Sequence, residues 1–195
     1  MIQTKDRSEY IGASDTKYVI GNWETKTFEK WWLKKLGIDT SSYDNKFTLA
    51  GTHFEHKIID ALEIENIQKD KQFIKGRLRV NLDANTDECI YEIKTYQLYK
   101  GFDIKKHHDY INQVQVQMYC SGIHKAKIVA YGLEEKDYDN YFNNIEKKRI
   151  LVFNIKYNQK WIKDEYLPNF KILEECLVKG KYPKKIKIIK TLKGV

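Results

Sequence analysis

The residues best suited to chemistry are two carboxylates and a lysine near the middle of the chain. Asp83 is followed nine positions later by Glu92, and Lys94 comes two residues after that glutamate. Two carboxylates can hold Mg²⁺ against a phosphate group, where the cation polarises the phosphoryl oxygens and lowers the pKa of a bound water. A lysine beside them can orient that water or neutralise the transition state. The spacing favours phosphodiester cleavage; the alternative is a solvated strand face, where charged residues are common.

Alternating side chains predict that these groups lie on two paired strands. Residues 77–83 alternate strictly between polar and apolar types, which predicts a strand with one polar face. A turn over residues 84–87 leads to a second strand over 89–95. Glu92 and Lys94 share a face of this strand because side chains repeat every two residues. We therefore expect an antiparallel hairpin whose polar faces coincide.

Helices are predicted before the hairpin. Ser14 or Asp15 can cap a helix that begins near Thr16 and ends at Gly37, since apolar residues recur at helical spacing between them. A second helix carries Glu55 at the edge of an apolar stripe formed by Phe54, Ile58 and Leu62. That glutamate is expected to stand at the border of a buried face.

The second half of the chain completes an α/β pattern. A helix around Ile111, Val114 and Met118 ends at Gly122, and strands follow over 125–133 and 149–157. The last predicted helix, over 161–179, should be kinked or divided by Pro168. These elements predict a central mixed β-sheet flanked by helices. At this length we expect one domain over residues 1–195, with a basic tail over 181–195.

The composition limits the partners and the compartment. A formal net charge of +8 suits a polyanion such as nucleic acid, although a lysine-rich protein from an AT-rich genome would carry the same charge. No segment has the apolar length of a membrane span or a signal peptide, so we expect a cytoplasmic protein. The three cysteines are far apart, which fits reduced thiols and cannot supply the four ligands of an iron–sulfur cluster.

Further motifs resemble one nuclease family. Arg7 stands seven positions before Ser14 ahead of a helix, Gly51 precedes Glu55 by four residues at a helix start, and residues 110–119 form a glutamine-rich helix after the Glu-x-Lys strand. In this order over residues 7–133, the motifs resemble the lambda-exonuclease (YqaJ-type viral recombinase) branch of the PD-(D/E)XK nucleases. The proline and glycine that usually flank the motif aspartate are replaced by Leu82 and Ala84, positions that shape a turn.

The resemblance implies a restriction-endonuclease-like core and a site for Mg²⁺ or Mn²⁺, with two ions. The implied metal ligands are Glu55, Asp83, Glu92 and the backbone carbonyl of Ile93. The resemblance also places Lys94 at the attacking water, and Arg7 and Ser14 at the terminal 5′-phosphate of the DNA. A guanidinium fork and a hydroxyl at a helix start suit that phosphate chemically.

The glutamine-rich helix leaves one choice open. Gln113 lies on the helix that is expected to pack beside the metal site, where an amide can orient a water or the lysine. The alternative is that Gln115, paired with Tyr119 at i and i+4, faces the site, and Gln117 shares the stripe of Gln113. The sequence does not decide which glutamine faces the carboxylates.

The activity implied by the resemblance is 5′→3′ exonucleolytic digestion of double-stranded DNA ends in phage-type recombination. Such an enzyme would leave 3′ single strands for a single-strand annealing protein and would form a ring-like homotrimer. One alternative is a structure-specific or restriction-type endonuclease on the same scaffold, which does not need the Arg7 and Ser14 pair. Another is a catalytically inactive DNA-binding module, which has no reason to gather three carboxylates against a polyanion.

Overall fold

The computed structural model describes residues 9–39 and 45–184, which form a mixed six-stranded sheet with helices on both faces. The strands are β1 (Ile11–Gly12), β2 (Gln68–Lys75), β3 (Leu78–Asn85), β4 (Ile90–Gln97), β5 (Lys125–Leu133) and β6 (Ile150–Lys156). The predicted strands therefore exist within a few residues of their expected bounds. Both β1 and β2 escaped the sequence analysis, since β1 has two residues and β2 is mostly polar and exposed.

The sheet divides at β3, which has different neighbours along its two sides. Strand β2 pairs antiparallel with β3 from Leu78 to Asn85, except at Asp83, so β1 and β4 must share the other side. There β1 pairs in parallel with Leu78 and Arg79, whereas β4 pairs antiparallel with Ala84 and Asn85. Among the described strands, none pairs with residues 80–83 on that side. We call this stretch the sheet gap, and the predicted hairpin is confirmed only at its turn.

Beyond the hairpin the sheet is regular. Strand β4 pairs in parallel with β5 over eight residues, from Ile90 opposite Ala126 to Gln97 opposite Leu133. Strand β6 pairs antiparallel with β5 and forms one edge. The parallel pair fixes β4 firmly, so side chains on β4 project from a well-supported strand next to the sheet gap.

The helices are α1 (Thr16–Ile20), α2 (Lys26–Lys35), α3 (Lys46–Ala61), α4 (His108–Ser121), α5 (Glu135–Asp139), α6 (Gln159–Trp161) and α7 (Leu167–Val178). The single helix expected from Thr16 to Gly37 is wrong, because the chain leaves the helix at Gly21 and starts again at Thr25. A Cβ at Gly21 would lie 2.4 Å from the Lys17 carbonyl oxygen, so this backbone path depends on glycine. Thr25 caps α2 by accepting from Phe28 N.

The expected irregularity of the C-terminal helix lies just before Pro168, and the chain stays helical through it. A π-helical turn (Ile162–Tyr166) joins α6 to α7, and Pro168 is the second residue of α7. None of the helices in the described ranges is long and apolar enough to cross a membrane.

Two apolar cores cover the two faces of the sheet. One contains the inward residues of β3, with Val114 and Met118 of α4 and the aromatic residues of α2. The other contains Phe54 and Ile58 of α3, with Tyr91 and Ile93 of β4. Helices α3 and α4 thus approach the sheet from opposite faces, and the sheet gap lies between them.

Candidate active site

A cavity of about 580 Å³ opens at the sheet gap. Its walls come from residues in and around β1, from the polar face of β3, from β4, and from side chains of α2, α3 and α4. The lining residues are Tyr10, Gly12, Ala13, Ser14, Asp15, Lys35, Thr48, Glu55, Arg79, Asn81, Asp83, Glu92, Ile93, Lys94 and Gln113. Glu55, Asp83, Glu92, Lys94 and Gln113, all expected in a metal site from the sequence, therefore meet in one cavity.

Glu92 is the most enclosed of the carboxylates, with 1% of its surface exposed. Lys94 Nζ donates to Glu92 Oε1 at 2.6 Å and to Gln113 Oε1 at 3.2 Å. Its ammonium group also lies 5.0 Å from the centre of the Tyr110 ring. The Glu-x-Lys spacing on β4 thus produces a buried ion pair whose cation remains partly open to the cavity.

Two glutamines of α4 hold Glu92 from the opposite side. Gln113 Nε2 donates to Glu92 Oε1, and Gln117 Nε2 donates to Glu92 Oε2, each at 2.5 Å. Gln115 faces elsewhere, because its amide bonds the carbonyl of Lys156 and the N–H of Asn158 near the end of β6. The structure therefore resolves the choice that the sequence left open: Gln113 and Gln117 face the carboxylate, one helical turn apart.

Asp83 takes the place of a backbone group in the sheet. Its Oδ2 accepts from the N–H of Ile93 at 2.8 Å, at the level where β3 and β4 have stopped pairing. The aspartate side chain therefore connects the two strands across the sheet gap. Its other oxygen is available to the cavity that Asp83 lines.

Glu55 reaches the cavity from α3. A Cβ at Gly51, one turn earlier on α3, would lie 3.3 Å from Thr95 Oγ1 on β4. The absence of a side chain at position 51 thus lets α3 approach β4 closely, which explains physically why a glycine four residues before the glutamate suits this site.

The carboxylates repel one another. Burial raises the pKa of Asp83 well above its usual range, and the charges of Glu92 and Glu55 raise it further. Burial, and then the charge of Glu92, also raises the pKa of Glu55. Burial alone would lower the pKa of Lys94, but Glu92 and Asp83 outweigh it and the pKa is raised. The excess negative charge is what a divalent cation would neutralise.

A second group of possible metal ligands shares Glu55. Glu55, His56 and Asp70 each offer one ligand atom, and these three atoms lie within 4.8 Å of one another. His56 Nε2 is 3.1 Å from Asp70 Oδ2. No sequence pattern pointed to this group, because Asp70 lies on β2, one of the two strands that were not predicted. Glu55 therefore stands between two sets of acidic neighbours.

Of the two residues expected to bind the terminal 5′-phosphate, only Ser14 lies in the part of the chain that the structure describes. Ser14 lies in the cavity wall, although neither Ser14 nor Asp15 caps α1 with its side chain, so that part of the expectation is wrong. Asp15 instead accepts from Gly12 N and from Trp31 Nε1. Arg7 lies outside the described residues, as does most of the basic tail. Ile93 lines the cavity, and the metal-binding role of its carbonyl stays a prediction.

Sequence reasoning missed Arg79 as a site residue. Alternation placed it on the polar face of β3 together with Asp83, which was the available signal, but its burial was not foreseen. Only 7% of Arg79 is exposed, and it lines the same cavity as Asp83.

The fold agrees with that of known exonucleases. The structure resembles an alkaline exonuclease from Laribacter hongkongensis (16% identity, TM-score 0.65, 89% of this chain and 92% of the other). It resembles equally a phage-related exonuclease from Haemophilus somnus 129PT (15% identity, TM-score 0.66, 88% and 96%). A putative exonuclease from Eubacterium rectale is similar at 11% identity and TM-score 0.54, over 97% and 95%. The restriction-endonuclease-like α/β fold is thereby confirmed.

The sequence itself matches a model of one protein family. Residues 4–124 match the YqaJ-like viral recombinase domain, and the chain belongs to that family. The resemblance drawn from the motifs is confirmed, and family and fold together group the chain with nucleases. No curated protein matches the sequence significantly.

Proposed function

We propose that the protein is a metal-dependent exonuclease that hydrolyses double-stranded DNA from its ends in the 5′→3′ direction. The observation that carries the proposal is the convergence of Asp83, Glu92 and Lys94, with Glu55, on one cavity. The family and the fold support it. The Laribacter hongkongensis exonuclease has also been solved in complex with dAMP, and a deoxynucleoside monophosphate is the product that such an exonuclease would release.

The donor set fits Mg²⁺ or Mn²⁺. Glu55, Asp83, Glu92 and the carbonyl of Ile93 offer hard oxygen ligands. Burial and, after it, the neighbouring carboxylates raise the pKa values of Asp83 and Glu55, and a bound cation would oppose both effects. We propose two ions in this site. Bound there, they would polarise the phosphoryl oxygens and lower the pKa of a bound water. The Glu55, His56 and Asp70 group contains a nitrogen ligand, which suits Mg²⁺ less well.

The remaining side chains supply positioning and charge. Lys94 lies on the cavity wall with its ammonium group bonded to Glu92 and Gln113, so it can orient the attacking water and neutralise charge on the phosphate. Gln113 bridges the lysine and the glutamate and keeps their separation fixed. Ser14, together with Arg7, is proposed to bind the terminal 5′-phosphate.

The biological setting of the proposal follows from the family. The product would be a 3′ single strand that an annealing protein uses in phage-type recombination in the cytoplasm of the host. A ring-like homotrimer that encircles the duplex would keep the enzyme on one DNA molecule through successive cuts.

Three substrates test the activity directly. With Mg²⁺, we expect linear duplex DNA to be degraded and covalently closed circular DNA to be spared, because digestion needs an end. Duplexes labelled at one 5′ or one 3′ end reveal which strand is lost first, and nicked circles test entry at a nick. Cleavage of the closed circle would instead indicate an endonuclease, and an intact linear duplex would indicate a binding module without catalysis.

Replacement of Gln117 by leucine is expected to weaken metal binding. The change leaves Glu92 Oε2 without its buried donor, and losing a partner of this kind costs metal affinity or activity about 10- to 100-fold. The Mg²⁺ concentration needed for half-maximal digestion of linear duplex should rise accordingly, which a Mg²⁺ titration of the initial rate measures.

The matched control is Gln115→Leu on the same helix. Gln115 is also a buried amide, but it bonds the end of β6 rather than Glu92. We expect this variant to lower thermal stability and leave the Mg²⁺ requirement unchanged. Equal shifts in the Mg²⁺ requirement of both variants would show that Gln117 acts only through general stability.

A further inference from the structure

The charged side chains of the cavity are unevenly distributed. At one end, Asp83 and Glu55 leave negative charge after Glu92 has paired with Lys94. Arg79 lies away from these carboxylates, on the same face of β3 and four residues before Asp83. Four strand residues correspond to about 13 Å, so the cavity has a metal-binding end and a separate cationic end.

The other cation of this second end is already neutralised. Lys35 Nζ lies 2.7 Å from Asp15 Oδ2 and also donates to the carbonyl of Tyr10 at 2.8 Å. Asp15 in turn accepts from Gly12 N and Trp31 Nε1. The pair is therefore part of the structure that joins β1 to the helices, and it contributes little net charge to the cavity.

Arg79 has no such counter-ion. No carboxylate within residues 9–39 and 45–184 forms a salt bridge with it, although only 7% of the residue is exposed. Two neutral groups contact it. The guanidinium carbon lies 5.7 Å from the centre of the Tyr10 ring. The Gln72 amide, with its oxygen turned toward Arg79, accepts from Nε at 3.0 Å and from Nη2 at 3.3 Å. A buried cation without an anion is costly unless a ligand supplies one.

We propose that Arg79 binds a phosphate group of the DNA strand that enters the cavity. This inference rests on the proposed nuclease function and adds to it the residue that holds the substrate at the end away from the metal site. Gln72 fixes one side of the guanidinium and Tyr10 covers its face, while Nη1 remains for phosphate oxygens. Ser14 lines the same cavity and can add a hydroxyl donor. The phosphate is either the terminal 5′-phosphate or an internal phosphate of that strand.

The experiment measures binding of Arg79→Gln to short duplexes that carry a 5′-phosphate or a 5′-hydroxyl. Fluorescence anisotropy is recorded in Ca²⁺, which takes the same oxygen ligands as Mg²⁺, and gels verify that the DNA stays intact. A charge-assisted hydrogen bond is worth about 10- to 100-fold in affinity. A loss of this size for the phosphorylated duplex alone assigns Arg79 to the terminal phosphate, and an equal loss for both duplexes assigns it to an internal one.

The matched control is Arg77→Gln, which removes the same charge two residues earlier in the chain, just before β3 begins. Arg77 pairs with Glu9 and does not line the cavity. Salt dependence separates a phosphate contact from a structural role, because losing one contact lowers the slope of log affinity against log salt by about 0.9. Arg79→Lys, which keeps the charge and loses the fork, is expected to show a smaller loss and replaces Arg79→Gln if that variant fails to fold.

Affinities and salt slopes for Arg79→Gln equal to those for Arg77→Gln would overturn the assignment. The outcome is distinct from a failure of the proposed nuclease function, because the binding measurement does not need cleavage. A wild-type protein that leaves linear duplex intact in Mg²⁺ would overturn the nuclease proposal alone, whereas a wild-type protein that binds neither duplex would overturn both.

Discussion

Replacement of Glu92 by alanine is expected to reduce Mg²⁺-dependent degradation of linear duplex DNA about a thousandfold. The change removes a proposed metal ligand and, at the same time, the partner that fixes the ammonium group of Lys94. Gln113 and Gln117 would lose their shared acceptor as well. Because one carboxylate organises three donors, no neighbouring side chain can replace it.

The measurement is the initial rate of nucleotide release from an end-labelled linear duplex, with duplex affinity measured in parallel. We expect affinity to be retained, since removing a negative charge does not weaken attraction to DNA. Glu88→Ala is the control, because Glu88 lies on the exposed turn before β4 and pairs with Lys125. Digestion by Glu92→Ala at the wild-type rate would remove Glu92 from the active site.

Replacement of Asp83 by asparagine is expected to abolish the same activity and yet to stabilise the metal-free fold. Burial and the charges of Glu92 and Glu55 raise the pKa of Asp83 in the folded state. A raised pKa of this kind contributes stability below the unfolded pKa of about 4, and the contribution is lost as pH rises through the folded value. Near neutral pH an acidic group at this position therefore costs stability, and asparagine can still accept from Ile93 N.

Thermal unfolding in EDTA tests this prediction. The melting temperature of Asp83→Asn should exceed that of the wild type at pH 8 by several degrees, since each kcal/mol of added unfolding free energy raises it by about 2–4 °C. The difference should shrink toward pH 4. Added Mg²⁺ should also reduce the difference, because binding stabilises only the wild type. Asp87→Asn, on the exposed turn, is the control. A melting temperature for Asp83→Asn below the wild-type value at pH 8 would contradict the explanation.

The sequence predicts those parts of the site that depend on local geometry. Strand periodicity places Glu92 beside Lys94 whatever the rest of the fold does, and helix periodicity places Gln113 and Gln117 on one stripe. The order of the motifs then supplies Glu55, whose position on α3 has no local relation to β4. For these residues, the sequence and the structure agree because side-chain direction follows from secondary structure.

Long-range contacts set the features that the sequence could not predict. Burial of Arg79 depends on the parallel pairing of β1 with β3, two segments more than sixty residues apart. The choice between Gln113 and Gln115 depends on how α4 is rotated, and Gln115 is fixed by the end of β6. Strand β2 consists mostly of polar residues that pair with β3 along an exposed edge, so its periodicity carries no strong signal.

The sheet gap separates the residues that line the cavity from most of the hydrogen bonds that hold β3. Residues 79 and 81 of β3 form the cavity wall, while the hydrogen bonds that keep β3 in place run to β2 along its other edge. New side chains at these two positions can therefore change the shape and charge of the cavity while the pairing of β3 with β2 is kept. One edge of β3 carries most of its strand pairing, and the opposite edge, paired with β1 and β4 only near its ends, leaves room for the cavity.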